Sequence, residues 1–355
     1  MMKVLFINSK HLNAPGGAER FAKVTMDVLG DEHEYSEIFE IDDLKVKKNK
    51  DITSILIKNK RNDFLNRVDI IFSSLFTSSK KRKINRKINE YNPDVIIVNN
   101  GITSGCSYIS KKNLKKRKVF IIQHTDINVT VGVGSFIKKT LFKLVTLKSK
   151  YVNWVAFSNK SLSESEKHFK FKQGHSLPLF SKKNHAKKTR PTDVIFVGRL
   201  SQEKNIPLLN EVFSKIPELK KVIIGRGEQA KYIDLKMENL KYYDFLENEK
   251  TVNEISKSKM LFSCSDFEGF SYVAVEAINN GVPIMIKDNF LEAETLSGKG
   301  KRGFCYKGND PIEISNLIKS NINFFKEKEY VEHIKRFEEF SSQKCKEKIK
   351  KIFTT

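Results

Sequence analysis

The sequence predicts an α/β chain built from two doubly wound, parallel-sheet domains in tandem. Length is the first observation behind this: 355 residues, 39% of them hydrophobic, exceed what one compact core usually holds. The second is the texture of the apolar runs. Short stretches rich in Val, Ile and Phe recur between longer amphipathic ones, and their apolarity is continuous rather than alternating, as in strands covered by helices on both faces. The third is a repeated beginning. A strand leading through a glycine turn into a helical pattern occurs near residue 3, as NAPGGAERFAKVTMDVL, and again near residue 193, as GRLSQEKNIPLLNEVFSKI.

The predicted strands are KVLFIN (3–8), DVIIVN (94–99), KVFIIQH (118–124), WVAFS (154–158), DVIFVG (193–198), KVIIG (221–225), MLFSCS (260–265) and PIMI (283–286). A helix is predicted over Ser271–Asn280. The stretch LPLFSKKNHAKKTRPTD has two prolines and a charge run but no periodicity, which puts a linker at roughly 180–191. The domains expected are therefore 1–185 and 190–335. Tyr330, Val331, Ile334 and Phe337 stand at helical spacing, and a terminal helix over 336–355 is expected to pack back toward the first domain.

Composition narrows the class. Cys106, Cys264, Cys305 and Cys345 lack the short paired spacing that grips zinc or closes a disulfide scaffold, and read as buried reduced thiols of a cytosolic protein. The start MMKVLFINSKHLN turns polar too soon for a signal-peptide core, and no apolar run approaches membrane-spanning length. The net charge is +23, of which +21 lies in residues 1–190. It comes in bursts at 45–50, 80–87, 111–118 and 138–150. Each burst alone reads as a solvated lysine-rich face, whereas the one-sided total points to an anionic partner surface.

The stretch SDFEGFSYVAVEAINNGVP (265–283) sets Glu268 and Glu276 on either side of a Gly-Phe turn. Backbone amides at the start of the predicted helix, over Gly269, Phe270, Ser271 and Tyr272, suit a diphosphate. Glu276, more than a turn into the helix, suits the vicinal hydroxyls of a ribose, and Glu268 the hydroxyls of whatever lies beyond the phosphates. The alternative for the pair is solvated glutamates. In VGRLSQEKNIPLL, Gly198 lets a phosphate approach, while Arg199 offers a planar fork and Lys204 a point charge to a departing diphosphate. The alternative is an ion pair of either cation with Glu203. DFE at 266–268 imitates an Asp-x-Asp metal motif but fits the glutamate pattern better.

Together these residues resemble the retaining glycosyltransferases of family 4 (glycosyl transferases group 1), over essentially the whole chain. The resemblance implies the α/β GT-B fold, two Rossmann-like domains facing a central cleft. It implies Glu268 on the donor sugar, Glu276 on the ribose, and Arg199 and Lys204 on the diphosphate. IGRGEQ (224–229) is similar to the family's Gly-x-Gly loop, nominating Gly225. YYDFLEN (242–248) is similar to the segment whose backbone reads the base, nominating Phe245 and Leu246. In the first domain, PGGAER nominates Gly16 and Gly17, and QHTD (123–126) nominates His124 beside the sugar. Two departures, Ser271 for a second glycine and Asn279 for a small residue, bear on the shape of the sugar pocket.

The reaction implied is retaining transfer of a hexosyl or N-acetylhexosaminyl group from a nucleotide-sugar donor, UDP-linked by expectation, with no metal and no cofactor. The basic first half suits a lipid-linked or glycan acceptor at an anionic membrane surface, hence a cytoplasmic enzyme peripheral to the inner face of the membrane, serving capsule or lipopolysaccharide synthesis. SFIKKTLFKLVTLKSK (135–150) reads equally as an interfacial helix and as a core-facing one. The rival readings are a nucleic-acid-binding protein, against which stands the absence of a recognition helix or aromatic ribonucleoprotein motif, and a nucleotide-sugar epimerase of the same fold.

Overall fold

The computed structural model describes residues 1–14, 16–41, 53–57, 73, 76–99, 106–124, 146–181 and 189–355. The chain divides into two compact units, Met1–Leu177 with Lys346–Thr355, and Pro178–Cys345. We call them the N-terminal and C-terminal units. Thirteen strands lie among the described residues, and every pairing between them is parallel.

The N-terminal sheet holds β1 (Lys3–Lys10), β2 (Glu34–Ile41), β3 (Thr53–Leu56), β4 (Val95–Val98), β5 (Lys118–Ile122), β6 (Asn153–Ala156) and β7 (Gln173–Ser176), in the order 3-2-1-4-5-6-7. The C-terminal sheet holds β8 (Thr192–Val197), β9 (Lys221–Ile224), β10 (Leu240–Tyr243), β11 (Ser258–Ser263), β12 (Ile284–Lys287) and β13 (Gly303–Tyr306), in the order 10-9-8-11-12-13. Each sheet reverses direction of build beside its first strand, β1 or β8, the position at which doubly wound sheets bind ligands outside their carboxyl ends.

All eight predicted strands form, and five others join them. Four of these, β3, β7, β10 and β13, are sheet edges. An edge strand has one neighbour and less apolar cover, so QGHS and LKYY lack the continuous apolar run of a central strand. The fifth, β2, is central but reads EYSEIFEI, and its Glu37 is wholly buried by polar partners described below.

Helices α1 (Gly17–Leu29), α2 (Ser79–Tyr91), α3 (Lys111–Lys116) and α4 (Asn159–His168) belong to the N-terminal unit. Side-chain hydroxyls start three of them: Ser78 accepts from Lys81 N at 3.1 Å, Ser110 from Asn113 N at 3.2 Å and Ser158 from Ser161 N at 2.9 Å. The basic bursts at 80–87 and 111–118 fall on α2 and α3, each helix burying one face through Ile84 and Ile88 or Leu114. The burst at 45–50 and most of 135–150 lie outside the described residues. The N-terminal core gathers Leu5, Ile7, Ile96, Ile121 and Trp154, whose indole donates to Gln123 Oε1 at 3.0 Å.

In the C-terminal unit, α5 (Ile206–Ser214), α6 (Asn248–Ser256), α7 (Tyr272–Asn279), α8 (Ala293–Ser297), α9 (Pro311–Asn321) and α10 (Lys328–Arg336) accompany the sheet. Most of the expected linker, 182–188, lies outside the described residues. The unit boundary falls at Leu177/Pro178, and Arg190 is buried, donating to Ser258 O at 2.6 Å and Gly281 O at 2.8 Å. These carbonyls give a guanidinium fixed acceptors, so a residue that looks like linker charge is a tie inside the fold. The predicted terminal helix is also interrupted. After α10 the chain leaves helical geometry at Phe337 and resumes as α11 (Ser342–Thr354). The Arg302 guanidinium lies 4.3 Å from the Phe337 ring centre and 5.6 Å from that of Phe340, and Phe340 packs edge-on against Phe270. α11 ends in the N-terminal unit, where Phe353 is fully buried against Phe120 with ring centres 4.8 Å apart.

Among the described residues no helix is long and apolar enough to cross a membrane. Of the cysteines, three are buried, and Cys305 on edge strand β13 is exposed, correcting the expectation that all four are internal.

Candidate functional site

The carboxyl ends of β8 and β9 in the C-terminal unit are pressed together through glycine. Gly198 N donates to Ile224 O at 3.0 Å, and Leu200 N to Arg226 O at 2.9 Å. A Cβ on Gly225, at φ +157°, would stand 1.8 Å from Gly198 O, and one on Gly227 2.2 Å from Leu200 O. No side chain fits at either place, so the Gly-x-Gly of this loop is required by backbone contact before any ligand is considered. Gly198 itself is different: a Cβ there would meet nothing nearer than 3.5 Å.

Beyond Gly198, Arg199 pairs with Glu203 at 3.2 Å, as the alternative reading allowed, but its side chain is 71% exposed. Such a pair is worth about 0–1 kcal/mol and yields readily to a stronger anion. Lys204 pairs instead with Glu268, both side chains largely buried at 17% and 15% exposure. Glu268 Oε1 also accepts from Ser265 Oγ at 3.0 Å, while Oε2 has no partner among the described residues.

The loop carrying Glu268 is stitched to the loop carrying Lys204. Asp266 N donates to Glu203 O at 2.8 Å, Asn205 Nδ2 to Asp266 Oδ2 at 3.2 Å, and Cys264 Sγ to Lys204 O at 3.2 Å. Asp266 Oδ1 pairs with Lys287 at 2.7 Å, and Lys287 continues to Asn309 Oδ1 at 2.6 Å. Asp266 is thus occupied in holding the loop. Asn205, in the left-handed region at φ 48°, also caps α5 by accepting from Leu208 N at 3.4 Å. Sequence reasoning passed over Asn205, Asp266 and Lys287 as supports, because partners more than 20 residues apart leave no spacing to read.

The loop runs into α7. Ser271 is its N-cap, the hydroxyl accepting from Ala274 N at 3.3 Å, so the residue in place of a second glycine starts the helix. Phe270 is buried, and Gly269 lies between it and Glu268. Glu276 sits in the fifth position of α7 and is 2% exposed. Its Oε1 accepts from Asn248 Nδ2 at 3.1 Å. Asn248 closes the YYDFLEN stretch, so the segment expected to read a base also reaches the carboxylate expected to hold a ribose. Within that stretch Phe245 is exposed, its ring centre 5.1 Å from the Arg226 guanidinium, and Tyr242 Oη donates to Gly225 O at 3.0 Å. Leu246 O accepts from Thr251 Oγ1 at 3.3 Å.

Asn279 proves to be a structural clamp. Its amide donates to Ser181 Oγ at 2.9 Å and Phe340 O at 2.8 Å, and the Ser181–Ser341 bridge runs alongside. The polar side chain answers backbone acceptors, and a small residue there would leave them unmet.

In the N-terminal unit, Gly16 precedes α1 and Gly17 opens it. A Cβ on Gly16 would stand 2.1 Å from Glu19 Oε2, so this glycine makes room for a buried carboxylate. His124 is half-buried after β5, its ring edge-on to Phe21 at 5.8 Å and 5.4 Å from Phe157. Burial lowers its pKa to about 4, so the imidazole is neutral at physiological pH. Thr125 and Asp126, the rest of that motif, lie outside the described residues.

Residues 179–340 match the family Glycosyl transferases group 1. The group 1 region thus coincides almost entirely with the C-terminal unit and contains Gly198, Arg199, Lys204, Gly225, Glu268 and Glu276. The chain is 31% identical over 118 residues to the poly(glycerol-phosphate) alpha-glucosyltransferase of Bacillus subtilis (strain 168), covering 31% of this chain and 18% of that protein. It is 28% identical over 107 residues to the O-antigen biosynthesis glycosyltransferase WbnH of Escherichia coli, covering 30% of this chain and 32% of that protein. The matches therefore span less than half the length of these relatives. Among solved structures, Anabaena Alr3699/HepE in complex with UDP superimposes with a TM-score of 0.69 at 15% identity, over 99% of both chains. That likeness is one of fold, and the fold is GT-B, with two Rossmann-like domains.

Proposed function

We propose that the chain is a retaining hexosyl- or N-acetylhexosaminyltransferase, moving a sugar from a UDP-linked donor to a hydroxyl of a membrane-associated glycan or glycolipid in bacterial envelope polysaccharide assembly. The observation that carries this reading is the joining of Lys204, Glu268, the start of α7 and the buried Glu276 within one stitched substructure of the group 1 region. It supplies, in chain order, cations for a diphosphate, an open carboxylate oxygen for sugar hydroxyls, and a second carboxylate for a ribose. The relatives named for glucosyl transfer to poly(glycerol-phosphate) and for O-antigen biosynthesis support the acceptor class, and the UDP complex of a protein with this fold supports the base.

In this reading the bond from the anomeric carbon to the diphosphate oxygen breaks, and a bond to the acceptor oxygen forms on the same face. The acceptor's proton passes to a diphosphate oxygen. Negative charge grows on the departing diphosphate, where Arg199, Lys204 and the amides leading into α7 stabilise it. Arg199 leaves Glu203 for the diphosphate, and Lys204 shares itself between Glu268 and the phosphates. No metal or cofactor is needed, and the basic N-terminal unit binds the acceptor at the anionic inner face of the cytoplasmic membrane. His124 binds and positions substrate without serving as a base.

Calorimetric titration of the protein with UDP and GDP in EDTA tests the donor site. The expected result is saturable binding of UDP that is lost in Glu276→Ala. Binding of neither nucleotide, or binding indifferent to the substitution, would sink the reading.

A further inference from the structure

Behind His124 runs a chain of buried polar side chains that crosses three strands. Glu37 on β2 is 0% exposed, Asn8 on β1 1% and Asn99 after β4 5%. The Glu37 carboxylate receives Leu12 N at 3.0 Å and Asn8 Nδ2 at 3.3 Å on Oε2, and Ser54 Oγ at 2.6 Å and His11 Nε2 at 2.9 Å on Oε1. Asn8 Oδ1 then accepts from Asn99 Nδ2 at 3.0 Å, and Asn99 Oδ1 lies 3.2 Å from His124 Nε2.

The chain has a direction. A carboxylate only accepts, so Asn8 must turn its NH2 toward Glu37 and its oxygen toward Asn99. Asn99 must in turn offer its NH2 to Asn8 and its oxygen to His124. An amide oxygen can only accept, so His124 Nε2 carries the proton. In a neutral ring the remaining nitrogen, Nδ1, then holds a lone pair, and it has no partner among the described residues.

We propose that Glu37, Asn8 and Asn99 are positioning residues that lock His124 in its Nε2–H tautomer, so that Nδ1 presents an acceptor to a substrate hydroxyl. The use of that hydroxyl rests on the transferase reading; the tautomer does not. A ring fixed this way favours a group that donates a hydrogen bond and disfavours a carboxylate or phosphate oxygen. Selection is thus built three side chains away from the ligand, at a carboxylate the ligand never meets.

The test is a long-range 15N–1H correlation spectrum of the imidazoles in the full-length 15N-labelled protein at neutral pH, with His124 assigned by its loss in His124→Gln. The relay expects a pure Nε2–H pattern for His124 in the wild type and a mixed-tautomer pattern in Asn8→Ala. An Nδ1–H or doubly protonated ring in the wild type overturns it, and that spectrum decides even where Asn8→Ala does not fold. A wild-type pattern retained in both Asn8→Ala and Asn99→Ala overturns it as well. With a sugar donor in hand, Asn8→Ala should lower kcat by roughly ten- to a hundredfold through misplacement of His124, at unchanged UDP affinity. The spectra judge the relay whether or not a donor is found, so failure of the transferase reading is told apart from failure of the relay.

Discussion

Lys204 and Arg199 show how two cations five residues apart come to differ in kind. Arg199 lies in solvent against a half-buried glutamate, whereas Lys204 is sunk beside Glu268 with Ser265 sharing the same oxygen. Lys204→Ala is therefore expected to lower kcat by roughly 10²–10³, the usual cost of losing one stabilising donor at a developing oxyanion. Steady-state kinetics with the donor identified by titration checks this, and a variant with near wild-type kcat would remove Lys204 from the chemistry. At this scale the sequence was legible where type and spacing alone place a residue: Glu268 falls before α7 and Glu276 within it, as the pattern expects. It was opaque where the meaning lies in a partner: Asn248 on Glu276, Lys287 on Asp266, and Glu37 behind Asn8. One signal was available. The strands KVLFIN and DVIIVN both end in asparagine, and it is these two asparagines, Asn8 and Asn99, that bond to each other.

Elements extend the same lesson. Central strands other than the polar β2 announced themselves because burial on both faces demands a continuous apolar run, and edge strands such as β7 and β10 did not, because their pairing and cover are halved. Loops were legible through glycine, although the two glycines of the β8–β9 contact have separate reasons. Gly225 is fixed by the carbonyl it faces, while space remains around Gly198. Gly225→Ala is expected to destabilise the protein by about 1–3 kcal/mol through strain and displaced backbone. Gly198→Ala should melt like the wild type yet bind UDP more weakly, its methyl group occupying the approach of a phosphate. Thermal melts beside calorimetric titrations separate the two, and undiminished UDP binding by Gly198→Ala would place the phosphate elsewhere.

For the whole molecule, charge and connectivity matter more than any one contact. With +21 of the +23 net charge in residues 1–190, the protein is expected to co-float with vesicles containing anionic lipid and to leave neutral ones behind, in a manner reversed by salt. Equal flotation with both vesicle types would show that charge does not bring it to a membrane. Neutralising Lys138, Lys139, Lys143 and Lys148 asks whether 135–150 is the anchor, since flotation unchanged by those substitutions assigns the attraction to other clusters such as α2. Connectivity acts earlier, during synthesis. The first 177 residues leave the ribosome long before Phe353, yet Phe353 fills the space against Phe120 in their core. The later-made unit, Pro178–Cys345, is complete in sequence while the earlier one still awaits its last ten residues. The usual N-terminal-first order of folding is thereby inverted at its final step. A nascent chain stalled anywhere before Lys346 carries an N-terminal unit with an unfilled apolar socket, a natural ligand for chaperones.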